Sequence, residues 1–163
     1  MTTIRLAVLE DSHAIFDAHR DSVLHLCAPA YTPTQMQTWF EGRTHAIHHP
    51  AIEAGQIVIA EQQGRVLGFF GFVPGEITLL FVRAEAAGSG LGSRLLALAI
   101  ERAEAGHEGH VIVVATRNSQ AFYEKHGFTA IEDSFFVRGA SGMRFEVVDM
   151  RLEARPGGTP TST

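Results

Sequence analysis

Three glycines on alternate positions, Gly88, Gly90 and Gly92, stand between an apolar run that ends at Val82 and a second that begins at Leu91. The first run is strand-like. The second places Leu91, Leu95, Leu98 and Arg102 on one helical face, with Leu96 and Ile100 alongside, and stops near Gly106. Val111 to Val114 follows as a short apolar run, read as a strand buried on both faces, as central parallel strands are. Strand, glycine loop, helix and strand in this order specify a right-handed crossover between parallel strands. Glycine is costly to order, so three at a helix entrance mean a tight turn or a ligand lying against the main chain.

The flanking segments constrain the rest. Gln56–Glu61, Arg65–Val73 and Glu76–Val82 are strand-like runs separated by Gln62-Gln63-Gly64 and Pro74-Gly75, which makes them an antiparallel meander. Thr3–Val8 alternates as a first strand. Asp11 or Ser12 can then cap a helix carrying Ile15, Phe16, Val23, Leu26 and Cys27, ended by Pro29. Thr32-Pro33 is an N-cap with proline at the first helical position, opening a helix with Met36, Trp39 and Phe40. Asn118 can cap a short helix, Ser119–His126, closed by Gly127, and strands Phe128–Val137 and Met143–Leu152 complete the chain. The fold class expected is α/β (α+β), a mixed sheet with helices on its faces.

A chain of 163 residues forms one domain with a core of its own. Residues 1–153 are assigned to it, and residues 154–163, rich in Gly, Pro and Thr, are expected to be a disordered tail. A formal charge of -5 with 19% charged residues leaves no broad basic face for nucleic acid. No apolar run approaches membrane-spanning length and no signal peptide is visible. The single cysteine, Cys27, cannot form an internal disulfide, which fits a reducing compartment. The expectation is a cytoplasmic protein.

Two familiar phosphate loops match the segment poorly. A Walker loop needs lysine then Ser or Thr after its last glycine, whereas Ser93 and Arg94 follow Gly92. A dinucleotide fingerprint needs G-x-G-x-x-G, which Gly88, Gly90 and Gly92 do not match. What survives is the helix entrance itself, whose free N–H groups and positive dipole end bind an anion without a basic side chain.

Ala87-Gly88-Ser89-Gly90-Leu91-Gly92 resembles the Q/R-x-x-G-x-G/A pattern of the GNAT superfamily of N-acetyltransferases, and Asn118 to Phe128 resembles that family's N-x-x-A-x-x-F/Y-Y-E-K-x-G-F segment in shortened form. The resemblance covers Thr3 to Leu152. It implies a mostly antiparallel seven-stranded sheet whose fourth and fifth strands splay apart, with acetyl-coenzyme A as cosubstrate. By it, Leu80, Phe81 and Val82 pair with the pantetheine arm, and Ala87, Gly88, Ser89, Gly90, Leu91, Gly92 and Ser93 hold the pyrophosphate. Asn118 contacts the coenzyme arm, Tyr123 protonates the departing thiolate, and Glu76 takes the proton of the amine directly or through water. Arg94, Arg117 and Lys125 are candidates for the outer phosphate. Ala87 stands where the family has Gln or Arg, and Ser89 where a basic residue is frequent, which weakens binding more than it abolishes it.

The activity implied is transfer of acetyl to a primary amine by direct attack in a ternary complex. The alternatives are a coenzyme-binding sensor with little turnover and an enzyme for a longer acyl donor. The acceptor is a small-molecule or a protein amine, and a homodimer through the C-terminal strands is open. Tyr31, in a loop between prolines, is expected to touch the acceptor, with the turn Arg138–Met143 as the opposite wall. Trp39 and Phe40 are assigned to core packing, as is Cys27, which has no base beside it in sequence. His45, His48 and His49 lack a local carboxylate or thiol to complete a metal site, so no metal is expected. His107 and His110 are read as solvated.

Overall fold

The computed structural model describes residues 1–154; the expected tail lies, but for its first residue, outside them. Seven strands form one sheet: β1 (Thr3–Leu6), β2 (Ile57–Gln62), β3 (Arg65–Val73), β4 (Glu76–Val82), β5 (Val111–Thr116), β6 (Thr129–Arg138) and β7 (Met143–Leu152), in the order β1-β2-β3-β4-β5-β7-β6. All neighbours are antiparallel except β4 and β5. That parallel step is the crossover the glycine segment demanded, made by helix α4 (Leu91–Glu104).

Alternation along the inner strands fills both faces. Val58, Ala60 and Phe70 point to the side covered by Leu95, Leu96, Ala99 and Ile100 of α4, whereas Ile57, Ile59 and Phe69 point to the side covered by Ile15 and Ala18. The latter two belong to α1 (Ser12–Ser22). The sheet is therefore a middle layer, and each face has its own apolar cluster. A third cluster joins Val23, Cys27, Tyr31 and Trp39 to Phe145 of β7.

Several expectations need correction. The first helix does not run regularly to Pro29: after Ser22 it widens to a π turn over Val23–Cys27 and tightens to a 3₁₀ turn over Ala28–Ala30. Pro29 has no N–H to continue the ladder, and the chain exhausts its helix by loosening first. α2 (Pro33–Thr38) starts as read, with Thr32 accepting from the Gln35 N–H and the Gln35 side chain accepting from the Thr32 N–H, but Trp39 already lies at its C-cap. A short helix, α3 (His49–Glu53), was not anticipated. β5 is not buried on both faces, since Val114 is half exposed. Asn118 does not cap α5 (Gln120–Lys125), whose N-cap position is Ser119.

The feature that shapes the centre of the sheet is a bulge in β4. Gly71 of β3 pairs with Leu79 while Phe72 pairs with Ile77, so Thr78 is an extra residue without a partner. β4 and β5 pair only at Glu76–Ile112 and Ile77–Val113, and beyond the bulge the two strands separate. Gly71 makes room for it: a Cβ there would lie 2.5 Å from the Thr78 Oγ1. Gly71→Ala is expected to lower stability by about 1–3 kcal/mol in denaturant titration, and adding Thr78→Ala should recover most of the loss. Full stability in the single variant would refute this packing account.

Candidate functional site

The loop between β4 and α4 has the backbone of an anion cradle. Gly88 and Gly90 have φ of +77° and +90°, with open space where a Cβ would sit. Side-chain-bearing residues disfavour that conformation, so these glycines are required by the turn as well as by access. The N–H groups of Gly88, Gly90, Gly92 and Ser93 make no hydrogen bond among the described residues. Leu91 is capped by the Ser89 hydroxyl at 3.3 Å, and that hydroxyl donates to the Ala86 carbonyl at 2.6 Å. Ser89 is thus spent on the turn, and Leu91 is buried in the core. Neither lines the cavity on which the other loop residues open. Gly92 is not there to admit the sheet: a Cβ on it would meet Phe122 at an ordinary 3.7 Å.

That cavity, of about 400 Å³, lies where β4 and β5 diverge. It gathers Leu80, Phe81 and Val82 of β4 with Ala87, Gly88, Gly90, Gly92 and Ser93, and also reaches Asn118 and Tyr123. Of the three basic candidates, Lys125 lines it. Arg94 lines a neighbouring outer hollow with Ser89 and Leu91. Arg117 is ion-paired with Glu146 on another part of the surface.

A second cavity, of about 170 Å³, opens at the same divergence. Leu80, Phe81, Thr116, Ser119 and Tyr123 line both. Tyr123 is 4% exposed, and burial pushes its phenol well above the ordinary tyrosine range, so it holds its proton at any physiological pH. The second cavity also takes in His19, Trp39, Arg43, Thr78, Phe136 and Arg138.

Other expected residues fall elsewhere. Glu76 lines neither cavity. It stands at the closed, paired end of β4, four strand positions or about 13 Å from Leu80, and is not brought to the junction as the base expected. Tyr31 lines neither cavity: its hydroxyl donates to the Glu146 carbonyl at 2.6 Å and accepts from the Arg117 N–H at 3.1 Å, and the ring is buried against Trp39. Trp39 packs in the core as read and also walls the smaller cavity. Of the segment Arg138–Met143 expected as the opposite wall, only Arg138, the last residue of β6, lines the smaller cavity. Asn118 and Thr116 sit beside the Cys27 thiol, whose pKa burial raises to about 11 despite them. Cys27 is therefore a protonated packing residue that lines the larger cavity. His107 is not simply solvated: its ring covers Gly75, and its Nε2 lies 3.0 Å from the His110 carbonyl.

His19 was the main omission. It follows Ile15 and precedes Val23 at four-residue spacing, so it occupies the apolar stripe of the first helix, and that was the available signal. It is 3% exposed, packs 4.3 Å from the Phe81 ring centroid, and has an Nδ1 without a partner. Burial, with His48, Arg43 and Arg138 adding positive charge, holds its pKa down at about 3; burial first and then Arg43 and His49 hold His48 at about 4. Arg43 had no local signal.

The family model of the GNAT acetyltransferase domain matches residues 27–153. The chain belongs to the GNAT acetyltransferases, a family of acyl-transferring enzymes. Among solved structures it is similar to a GCN5-related N-acetyltransferase from Rhodopseudomonas palustris, with a TM-score of 0.81 at 22% identity over 94% of this chain and 96% of that one. It is also similar to the PaiA N-acetyltransferase from Thermoplasma acidophilum, solved in complex with coenzyme A, with a TM-score of 0.73 at 19% identity over 94% and 99% of the two chains. A third likeness is to YncA of Salmonella typhimurium, a putative acetyltransferase solved with acetyl-CoA, with a TM-score of 0.69 at 20% identity over 100% and 99%. No curated protein sequence matches the chain. Among the described residues no helix is long and apolar enough to cross a membrane, and no group of three or more His, Cys, Asp or Glu is placed to hold a metal.

The two buried histidines make stability depend on pH. Both have folded pKa values below the unfolded value of about 6.5. Their neutral forms are therefore favoured in the fold, with full stability above pH 6.5 and loss as pH falls toward 4 for His48 and 3 for His19. The slope is on the order of 1 kcal/mol per pH unit for each site. Urea titrations from pH 7 to 4 should show this decline and a shallower one in His19→Gln. Equal slopes would contradict it.

Proposed function

We propose that this protein transfers the acetyl group of acetyl-coenzyme A to the primary amine of an acceptor, by direct attack while both are bound. The observation that carries the proposal is the pair of cavities that meet between β4 and β5 and share Tyr123 as a wall. The larger has the length of open strand edge and the free loop amides that suit a pantetheine diphosphate. The smaller has room for a compact amine.

The coenzyme supplies an activated thioester; the remaining work falls to the chain. The N–H groups of Gly88, Gly90, Gly92 and Ser93 hold the diphosphate, with Lys125 at the rim of the same cavity and Asn118 along the arm. Leu80, Phe81 and Val82 offer main-chain groups that β5 does not use. Successive amides point to opposite sides of a strand, so one of Phe81 and Val82 faces the opening and can donate to the carbonyl oxygen as charge develops there. Tyr123 gives its proton to the leaving sulfur, for which a phenol kept neutral by burial is suited.

The nucleophile must be a neutral amine. No carboxylate lines the smaller cavity, where Arg43 and Arg138 make a positive surround that disfavours an ammonium. The ammonium proton therefore leaves to water on entry, and the proton that nitrogen loses once the C–N bond has formed passes through water to restore the Tyr123 phenol. His19, with its pKa near 3, accepts a hydrogen bond from the amine and does not store the proton.

Thiol release from acetyl-coenzyme A against a panel of amines tests the reading. Tyr123→Phe should lower kcat by about 10²–10⁴-fold with little change in coenzyme affinity; an unchanged rate would remove the acid. Glu76→Gln should stay within about threefold of the parent, and a loss approaching that of Tyr123→Phe would restore it as the base. Gly92→Val, at a position without positive φ, should weaken coenzyme binding by calorimetry while the protein stays folded. Tight coenzyme binding without turnover of any amine would instead make the protein a sensor.

A further inference from the structure

The smaller cavity has a charge pattern that the transfer chemistry alone does not require. Its titratable lining is His19, Arg43, Tyr123 and Arg138, two of them cations and none a carboxylate. Arg43, in the turn after α2, and Arg138, at the end of β6, come from segments far apart in sequence and converge on one small space. They are close enough that Arg138 helps to lower the Arg43 pKa, and both are drawn down by burial. Among the described residues no carboxylate lies within ion-pair distance of either. Glu41, exposed over Gly139, pairs with neither.

Four other arginines find a carboxylate; among the described residues Arg20, Arg83, Arg94, Arg102 and Arg144 do not, but none of these leaves a buried donor empty. Arg5 is held by Asp11 and Glu61, Arg65 by Glu85, Arg117 by Glu146 and Arg151 by Glu153. Arg138 instead lies over the Phe136 ring at 4.5 Å, donates one N–H to the Val137 carbonyl at 2.9 Å, and leaves its Nε buried without an acceptor. A buried guanidinium donor left empty is costly, and two guanidinium groups lining one small cavity without an anion add repulsion to that cost. Both terms vanish when a carboxylate enters, because the planar fork of arginine matches its two oxygens.

We infer that the acceptor is a small amine that also carries a carboxylate, bound by Arg43 and Arg138 with its apolar body against Trp39, Phe81 and Phe136. The inference rests on the transfer reading for the fate of the amine, but the carboxylate subsite stands on its own geometry. The cavity volume of about 170 Å³ suits a free amino acid more than a chain segment, and the paired cations oppose a polyamine. A peptide N-terminus has an amide where a free amino acid has its carboxylate, so the same site distinguishes the two.

The test compares L-phenylalanine, L-phenylalaninamide and 2-phenylethylamine as acceptors by thiol release, with L-leucine and isoamylamine as a second matched set. The acid form should exceed the amide and the decarboxylated amine in kcat/KM by about 10- to 100-fold. In Arg43→Gln and Arg138→Gln that ratio should collapse toward one. A wild-type ratio near one, or a preference for the amide, overturns the carboxylate subsite while acetyl transfer stands. A preference that survives in both variants overturns it as well. Trp39 is the only tryptophan and lines the cavity, so its fluorescence gives a second readout that needs no turnover. Should no amine be acetylated, the transfer reading fails. A saturable fluorescence change with L-phenylalanine that 2-phenylethylamine does not produce would still uphold the subsite, and no change would overturn it. If a variant fails to fold, the wild-type comparison decides.

Discussion

The structure turns on the parting of two neighbouring strands. β4 and β5 are the parallel pair of the sheet, and they remain joined for two residue pairs before the Thr78 bulge sends them apart. A parallel ladder broken in mid-sheet leaves main-chain donors and acceptors without partners, a cost the fold bears only where something else takes them up. The opening is flanked by two well-packed clusters, one under α4 and one under α1, so the sheet holds its shape around the defect. The same parting creates two chambers with a common wall, which is the geometric requirement of a reaction that joins a donor and an acceptor from opposite sides.

Electrostatics divides the two chambers. The larger is lined by amide dipoles at a helix entrance, with Lys125 as its cation, in a chain carrying net negative charge. The smaller is served by two guanidinium groups and a histidine that burial keeps neutral. Tyr123 stands between them as the one acidic proton common to both, and burial of its ring keeps that proton in place. The two chambers therefore differ in character, with helix-entrance dipoles and open backbone in one and two guanidinium groups and aromatic walls in the other.

What sequence could reveal follows from how local the determinants are. The meander, the crossover helix and the closing strand pair rest on period and turn residues, and all seven strands lie where those signals put them. The glycine loop was readable because positive φ at Gly88 and Gly90 demands glycine whatever surrounds it. The π turn after Ser22, the bulge at Thr78 and the short helix at His49–Glu53 were not, because each is a tertiary accommodation with no residue type of its own. Within the site, Tyr123 and the strand edge were reached through a family pattern. Arg43 and Arg138 converge from distant segments, which no single-sequence periodicity encodes. Tyr31 misled because an aromatic hydroxyl in a loop looks available, whereas here it ties the Glu146 carbonyl to the Arg117 amide.

Residue-resolved amide exchange with and without acetyl-coenzyme A addresses the central claim most directly. The N–H groups of Gly88, Gly90, Gly92 and Ser93 should exchange quickly in the free protein and gain strong protection on binding, together with one of the Phe81 and Val82 amides. Slow exchange at those positions in the free protein, or protection that appears elsewhere and leaves them untouched, would contradict it.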